Sequence, residues 1–184
     1  MIAEAGTATG ENADSALVVL VPQVAELLQA FRARYTPGVP LDMPAHITLI
    51  FPFKSPTAID AEVLASLRHC FAAMQRFDFA LSRLEIFPAD AVYLAPEPAE
   101  PFRRLTLAIW RRYPDQPPYG GRYPRIVPHL TLARIPDAAR LSSVADDFAT
   151  AFPGSLPIAG RADAVALMDN SSGRWEVRTT FGLM

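Results

Sequence analysis

The sequence predicts a mixed fold of helices and strands built by internal duplication. Three observations carry this. The hydrophobic period switches between two and 3.6 residues in the order strand, helix, strand, helix, strand, and the same order returns in the second half. The pattern His-x-Thr-Leu occurs once in each half. Finally, 51% of the 184 residues are hydrophobic, enough for one globular unit with a full core.

In chain order, residues 16–21 form an unbroken apolar run that reads as a fully buried strand. Residues 23–35 place Val24, Leu27, Leu28 and Phe31 at helical spacing, and Pro37, Gly38 and Pro40 end that helix. A strand follows through residues 46–50. Residues 58–75 then carry Ile59, Val63, Leu67, Cys70, Phe71 and Met74 on one helical face. Alternation of Phe77, Phe79 and Leu81 marks residues 77–87 as a strand.

The second half repeats the order: strand 91–95, helix 98–112, strand 129–134 and helix 138–152, then strands near 158–168 and at 175–181. Leu17 and Val92, in the two opening strands, lie 75 residues apart, whereas the two motif histidines lie 83 apart. The extra eight residues fall in the segment 113–128, whose five prolines, two glycines and three tyrosines read as an ordered loop. The halves are thus about 16–88 and 89–184, a single domain from residue 16 onward, and residues 1–15 are expected to be a loose tail.

Composition narrows the function classes. No apolar run approaches the roughly 20 residues that cross a bilayer, and the first residues lack the basic and apolar regions of a signal peptide, so a cytoplasmic location is the default expectation. Cys70, the only cysteine, excludes an internal disulfide and a multi-cysteine zinc site. Its neighbour His69 points about 100° away on a helix, which argues for a packed cysteine over a Cys/His nucleophile. A net charge of −2 gives no bulk grip on long nucleic acid. Residues 103–134 nevertheless hold seven arginines against the single acid Asp115. Arg103, Arg104, Arg111 and Arg112 read as a solvated helix face, while Arg122 and Arg125 lie nearer the second motif.

The informative residues are His46-Ile47-Thr48-Leu49 and His129-Leu130-Thr131-Leu132, each closely preceded by a proline, Pro44 or Pro128. Two of the three histidines carry the pattern, at equivalent places in a duplicated chain. One copy would be weak evidence; two are not an accident. On a strand, His46 and Thr48 project to one face and Ile47 and Leu49 to the other, and the second motif behaves alike. A pseudo-two-fold relation would bring both imidazole–hydroxyl pairs to one cleft.

Transfer at phosphorus needs a base for the incoming oxygen and an acid for the departing one, and imidazole serves both near neutral pH. Threonine hydroxyls donate to the non-bridging oxygens where charge accumulates. No metal is required. No carboxylate lies within two residues of either threonine, and an aspartate precedes only the first motif, at Asp42. A two-histidine metal site would need further donors that the sequence does not supply nearby.

These residues resemble the 2H phosphoesterases, in particular the bacterial 2′-5′ RNA ligase-like branch. The resemblance spans nearly the whole chain after residue 15 and is most specific at residues 43–53 and 126–132, with residues 92–96 similar to the strand that opens the second half. It implies an α+β bilobal fold of two antiparallel sheets with helices on their outer faces, a central cleft lined by both motifs, and lobes that need not equal the sequence halves. It also implies action on 2′,3′-cyclic phosphates or 2′-5′ linkages of RNA ends or small nucleotides without cofactor, possible reversal as ligation, His46 and His129 as the acid–base pair, and Thr48 and Thr131 as phosphate holders. A monomer is expected.

Three further residues are candidates for substrate contact. Lys54, the only lysine, reads as either a cleft-mouth cation or a solvated strand end. Tyr123 and Arg125, on the loop before His129, could stack on a base and meet phosphate. Trp175 reads as core. The competing function is a non-catalytic module that holds a nucleotide or RNA end in the same cleft.

Overall fold

A computed structural model of the chain describes residues 13–37 and 43–184. Most of the expected tail, the helix-ending Gly38 and Pro40, and Asp42 lie outside the described residues. The first half comprises β1 (Ser15–Leu20), α1 (Ala25–Tyr35), β2 (His46–Ile50), α2 (Ala61–Ala72) and β3 (Phe77–Phe87). The second comprises β4 (Ala91–Glu97), α3 (Glu100–Arg112), β5 (Leu130–Arg134) and α4 (Ala138–Ala151), followed by β6 (Ile158–Ala162), β7 (Ala164–Asp169) and β8 (Glu176–Gly182). A 3-10 turn at Pro22–Val24, with Pro22 at its first position, occupies the start of the expected first helix. β1 opens at the fully buried Ser15, Ala13 is buried and Asp14 N donates to the Asn170 side chain at 2.7 Å, so residues 13–15 of the expected tail belong to the fold.

Two four-stranded antiparallel sheets result, in the orders β2-β1-β7-β8 and β5-β4-β3-β6. The orders correspond strand for strand: the histidine-bearing strand is an edge, and the opening strand of its half sits next to it. Neither sheet comes from one contiguous half. β3 leaves the first half to join the second sheet, and β7 and β8 return to complete the first. The stretch expected near 158–168 is therefore two strands, parted at Asp163, that belong to different sheets.

The helices are exchanged. α1 packs on β5 of the second sheet and α3 on β2 of the first, while α2 covers β8 and α4 covers β3 and β4. Both later helices begin in the same way, with an aspartate accepting a backbone N–H: Asp60 from Val63 at 2.8 Å and Asp137 from Arg140 at 2.7 Å. One continuous core runs through both sheets, with Phe31, Phe71 and Phe102 fully buried among Leu17, Ile47, Leu94 and Leu130.

The alternation of β1 builds a second, smaller apolar surface on the opposite face of the first sheet. There Ala16 and Val18 join Ala166 and Met168, flanked by the partly buried Leu20, Met43, Phe51 and Trp175. Trp175, expected in the core, is half-buried at the edge of Phe51, 6.0 Å between ring centres.

Candidate functional site

The two motifs lie on the edge strands where the sheets meet, since β2 and β5 are in contact. In β2, Ile47 and Leu49 are 0% and 1% exposed and point into the core, whereas His46 and Thr48 are half-buried on the other face. Leu130 and Leu132 anchor β5 equally, and Thr131 faces the same way as Thr48 does in its own sheet. Each such buried aliphatic stabilises its strand by about 1.5–3 kcal/mol, which fixes the register that aims the polar residues. His46 stands opposite Leu20, Thr48 opposite Val18 and Thr131 opposite Tyr93.

The imidazoles are held identically. His46 Nδ1 lies 2.7 Å from the carbonyl oxygen of Pro44, and His129 Nδ1 lies 2.7 Å from that of Val127, two residues upstream in each case. A carbonyl only accepts, so each Nδ1 carries the proton and donates it. Both rings are left with Nε2 as the nitrogen free to take or give a proton. Burial holds both below the ordinary histidine value, with the upstream carbonyls pulling the other way. The charge of His129 further disfavours protonation of His46, which places the rings within electrostatic reach of one another, and Arg32 adds to that effect. For His129 the neighbouring charges are Arg134, which opposes its protonation, and Asp90, which favours it.

Aromatic rings enclose His129. Phe87 and Tyr93 meet it edge-on at 4.9 and 5.5 Å, and Tyr119 lies over it at 6.0 Å with the planes 23° apart. The Tyr93 hydroxyl donates to Glu85 Oε2 at 2.7 Å, and burial raises its pKa. Tyr119 also reaches across to the other motif, where its hydroxyl comes within reach of the Thr48 side chain; burial pushes its pKa up to about 12, and Thr48 offsets part of that rise. Tyr119 has a left-handed backbone with φ 53°, and Gly120 and Gly121 follow at φ 64° and 72°. A left-handed non-glycine residue costs about 1–2 kcal/mol. Arg134, paired with Asp90 at 2.5 Å, adds a positive charge felt by both His129 and Tyr119.

His46, His129, Thr48 and Tyr119 therefore form one connected group, with Thr131 beside His129 on the same strand face. The other expected residues lie apart or at the rim. Lys54 Nζ sits 5.5 Å from the centre of the Tyr113 ring, whose hydroxyl bonds Ser66 of α2 at 2.9 Å, so this cation faces the helical layer. Tyr123 is 51% exposed and packs edge-on against Tyr119 at 5.9 Å. Arg125 is exposed on the loop before β5. Arg103 is more than a solvated helix face, since its Nε donates to the Ile126 carbonyl at 3.2 Å and ties that loop down. Cys70 is half-buried with its thiol pKa raised by burial, as a packed cysteine requires, and His69 is exposed. Among the described residues, no three His, Cys, Asp or Glu side chains are grouped to hold a metal, and no helix is long and apolar enough to cross a membrane.

Tyr119 is the residue that the motifs did not reveal. Its one signal is local: an aromatic followed by Gly-Gly in a loop that the duplicated register had already marked as inserted.

The family model of the 2′-5′ RNA ligase superfamily matches residues 20–174, which takes in both motifs and the loop between them. The chain belongs to this superfamily. Solved structures share its fold. TT0787 of Thermus thermophilus is 20% identical with a TM-score of 0.60, covering 92% of this chain and 97% of that one. Escherichia coli LigT complexed with 3′-AMP is 16% identical with a TM-score of 0.60, covering 94% and 98%. LigT complexed with ATP is 16% identical with a TM-score of 0.57, covering 93% and 97%. Among curated proteins, none matches the chain by sequence.

Proposed function

We propose that the chain is a phosphoesterase that opens a 2′,3′-cyclic phosphate or a 2′-5′ phosphodiester by exchanging protons between His46 and His129. The observation that carries this reading is the matched pair of Nδ1–carbonyl bonds, which presents two Nε2 atoms and no other titrating nitrogen from the two motifs. One Nε2 takes a proton from the attacking water as the new P–O bond forms. The other, protonated, gives its proton to the departing ribose oxygen as the old P–O bond breaks. Thr48 and Thr131 donate to the non-bridging oxygens, and Arg134 adds compensating charge. The proton inventory closes without a metal or nucleotide cofactor.

The direction is set by what supplies the incoming oxygen. Water gives a monoester, and a ribose hydroxyl gives a 2′-5′ linkage by the same steps, with that hydroxyl in the place of water. LigT was crystallised with 3′-AMP and with ATP, which supports a nucleotide or RNA end as the ligand class here. The test is product analysis in EDTA with 2′,3′-cyclic AMP, 2′-5′-linked ApA and a cyclic-phosphate-ended RNA in parallel. Wild type is expected to turn over at least one of them, and His46→Ala and His129→Ala are each expected to lose about 10²-fold or more. Undiminished turnover in both variants would falsify the mechanism. Tight retention of 3′-AMP without any turnover would instead identify a nucleotide-holding module.

A further inference from the structure

The proposed reaction uses two imidazoles and two threonine hydroxyls, yet a third hydroxyl, that of Tyr119, is held among them. Three observations bear on it. First, its place is built at a conformational cost, because Tyr119 itself adopts the left-handed backbone that Gly120 and Gly121 adopt freely. Second, it bridges both motifs: its ring lies over His129 on the second sheet, while its turn packs against β2 of the first and brings its hydroxyl within reach of Thr48. Third, the turn that presents it is clamped. Pro118 is buried, Gly120 N donates to the Pro117 carbonyl at 3.0 Å, and Arg122 N donates to that of Tyr119 at 3.3 Å.

We propose that the Tyr119 hydroxyl is a third donor to the phosphoryl oxygens, exchanging its Thr48 partner for the substrate. This rests on the phosphoesterase reading of the cleft. A hydroxyl within reach of the Thr48 side chain is also within reach of whatever Thr48 binds, so rotation of its O–H suffices to make the contact. The phenol stays protonated throughout the working pH range, so it brings a donor to an anion without bringing negative charge. Packing against His129 and Tyr123 holds the ring while the hydroxyl changes partner. The bond is stronger to the charged phosphoryl oxygen than to the neutral threonine, which gives the exchange its direction.

The experiment compares wild type with Tyr119→Phe, Tyr119→Ala and His46→Ala. It measures kcat and KM on 2′,3′-cyclic AMP, thermal melting, and inorganic phosphate affinity by calorimetry, which needs no turnover. Tyr119→Phe keeps the ring over His129 and removes only the oxygen. It is expected to lower kcat/KM and phosphate affinity tenfold or more while the protein stays folded. Values for Tyr119→Phe within twofold of wild type, with His46→Ala inactive, would overturn this inference and leave the reaction standing; Tyr119 would then be packing alone. A rise in activity or phosphate affinity would overturn it too, by making the hydroxyl a competitor for Thr48. Absence of turnover in wild type would strike the phosphoesterase reading instead, and the phosphate titration would still judge Tyr119.

Discussion

Replacing Thr48 or Thr131 by valine deletes one oxygen and keeps the β-branched shape, so both edge strands retain their conformation. In catalysis the two variants should behave alike. Each loses one hydrogen bond to an anionic phosphoryl oxygen, about 1.5–3 kcal/mol, or roughly tenfold to a hundredfold in kcat/KM. In stability they should differ. The Thr48 side chain is the neutral polar neighbour within reach of the Tyr119 hydroxyl, so Thr48→Val leaves that hydroxyl without it inside the cleft. For a half-buried group the cost is at the low end of the usual range, about 1 kcal/mol, and in a chain of this size it lowers Tm by about 2–4 °C. Thr131→Val removes a hydroxyl that no described residue engages, and its Tm should stay at the wild-type value. Melting curves and steady-state kinetics on 2′,3′-cyclic AMP measure both quantities. Equal melting temperatures would refute the Thr48–Tyr119 pairing, and kcat/KM near wild type in both variants would refute the threonines as phosphoryl donors.

The histidines make a pH prediction. Burial holds both below the ordinary histidine value, so the free protein holds two neutral imidazoles at pH 7, whereas the proposed reaction needs one of them protonated. The profile of kcat/KM, which reports the free protein, should therefore decline on its alkaline side below pH 6.5. A bound phosphate anion favours imidazolium, so the alkaline limb of kcat should lie at higher pH. A kcat/KM limb above 6.5 would contradict the burial argument. Away from the cleft, a Cβ on Gly160 would meet the buried Phe79 ring at 2.5 Å. Gly160→Ala should cost about 1–3 kcal/mol in denaturant unfolding through overpacking at the β3–β6 pair, and an unchanged midpoint would show that the ring moves aside freely.

The motif strands were legible because their chemistry is periodic. β2 and β3 run over the residues expected, α4 and β5 differ by one residue at one end, and β8 is shifted by one residue at both. What periodicity could not convey was which sheet a strand joins. β6 and β7 are both largely apolar and separated by Asp163 alone, and only pairing partners distant in sequence, β3 and β1, decide their membership. The site divides in the same way. His46, Thr48, His129 and Thr131 were readable as a repeated pattern, whereas Tyr119 is placed by a backbone conformation, and a left-handed tyrosine leaves little trace beyond the glycines after it. Lys54 illustrates the converse. Its charge suggested the cleft, but the adjacent aromatic Tyr113 offered a nearer place for an ammonium group.

Exchange of α1 and α3 between the sheets makes each half of the molecule incomplete by itself. A fragment ending after β3 would retain α1 with nothing to cover, and would leave β2 bare where α3 should lie. Such a piece would bare an oily flank and an unpaired strand edge, inviting self-association ahead of any independent folding. The two imidazoles thus come together only when the entire polypeptide has assembled, and a truncated or half-synthesised product holds His46 without His129 facing it.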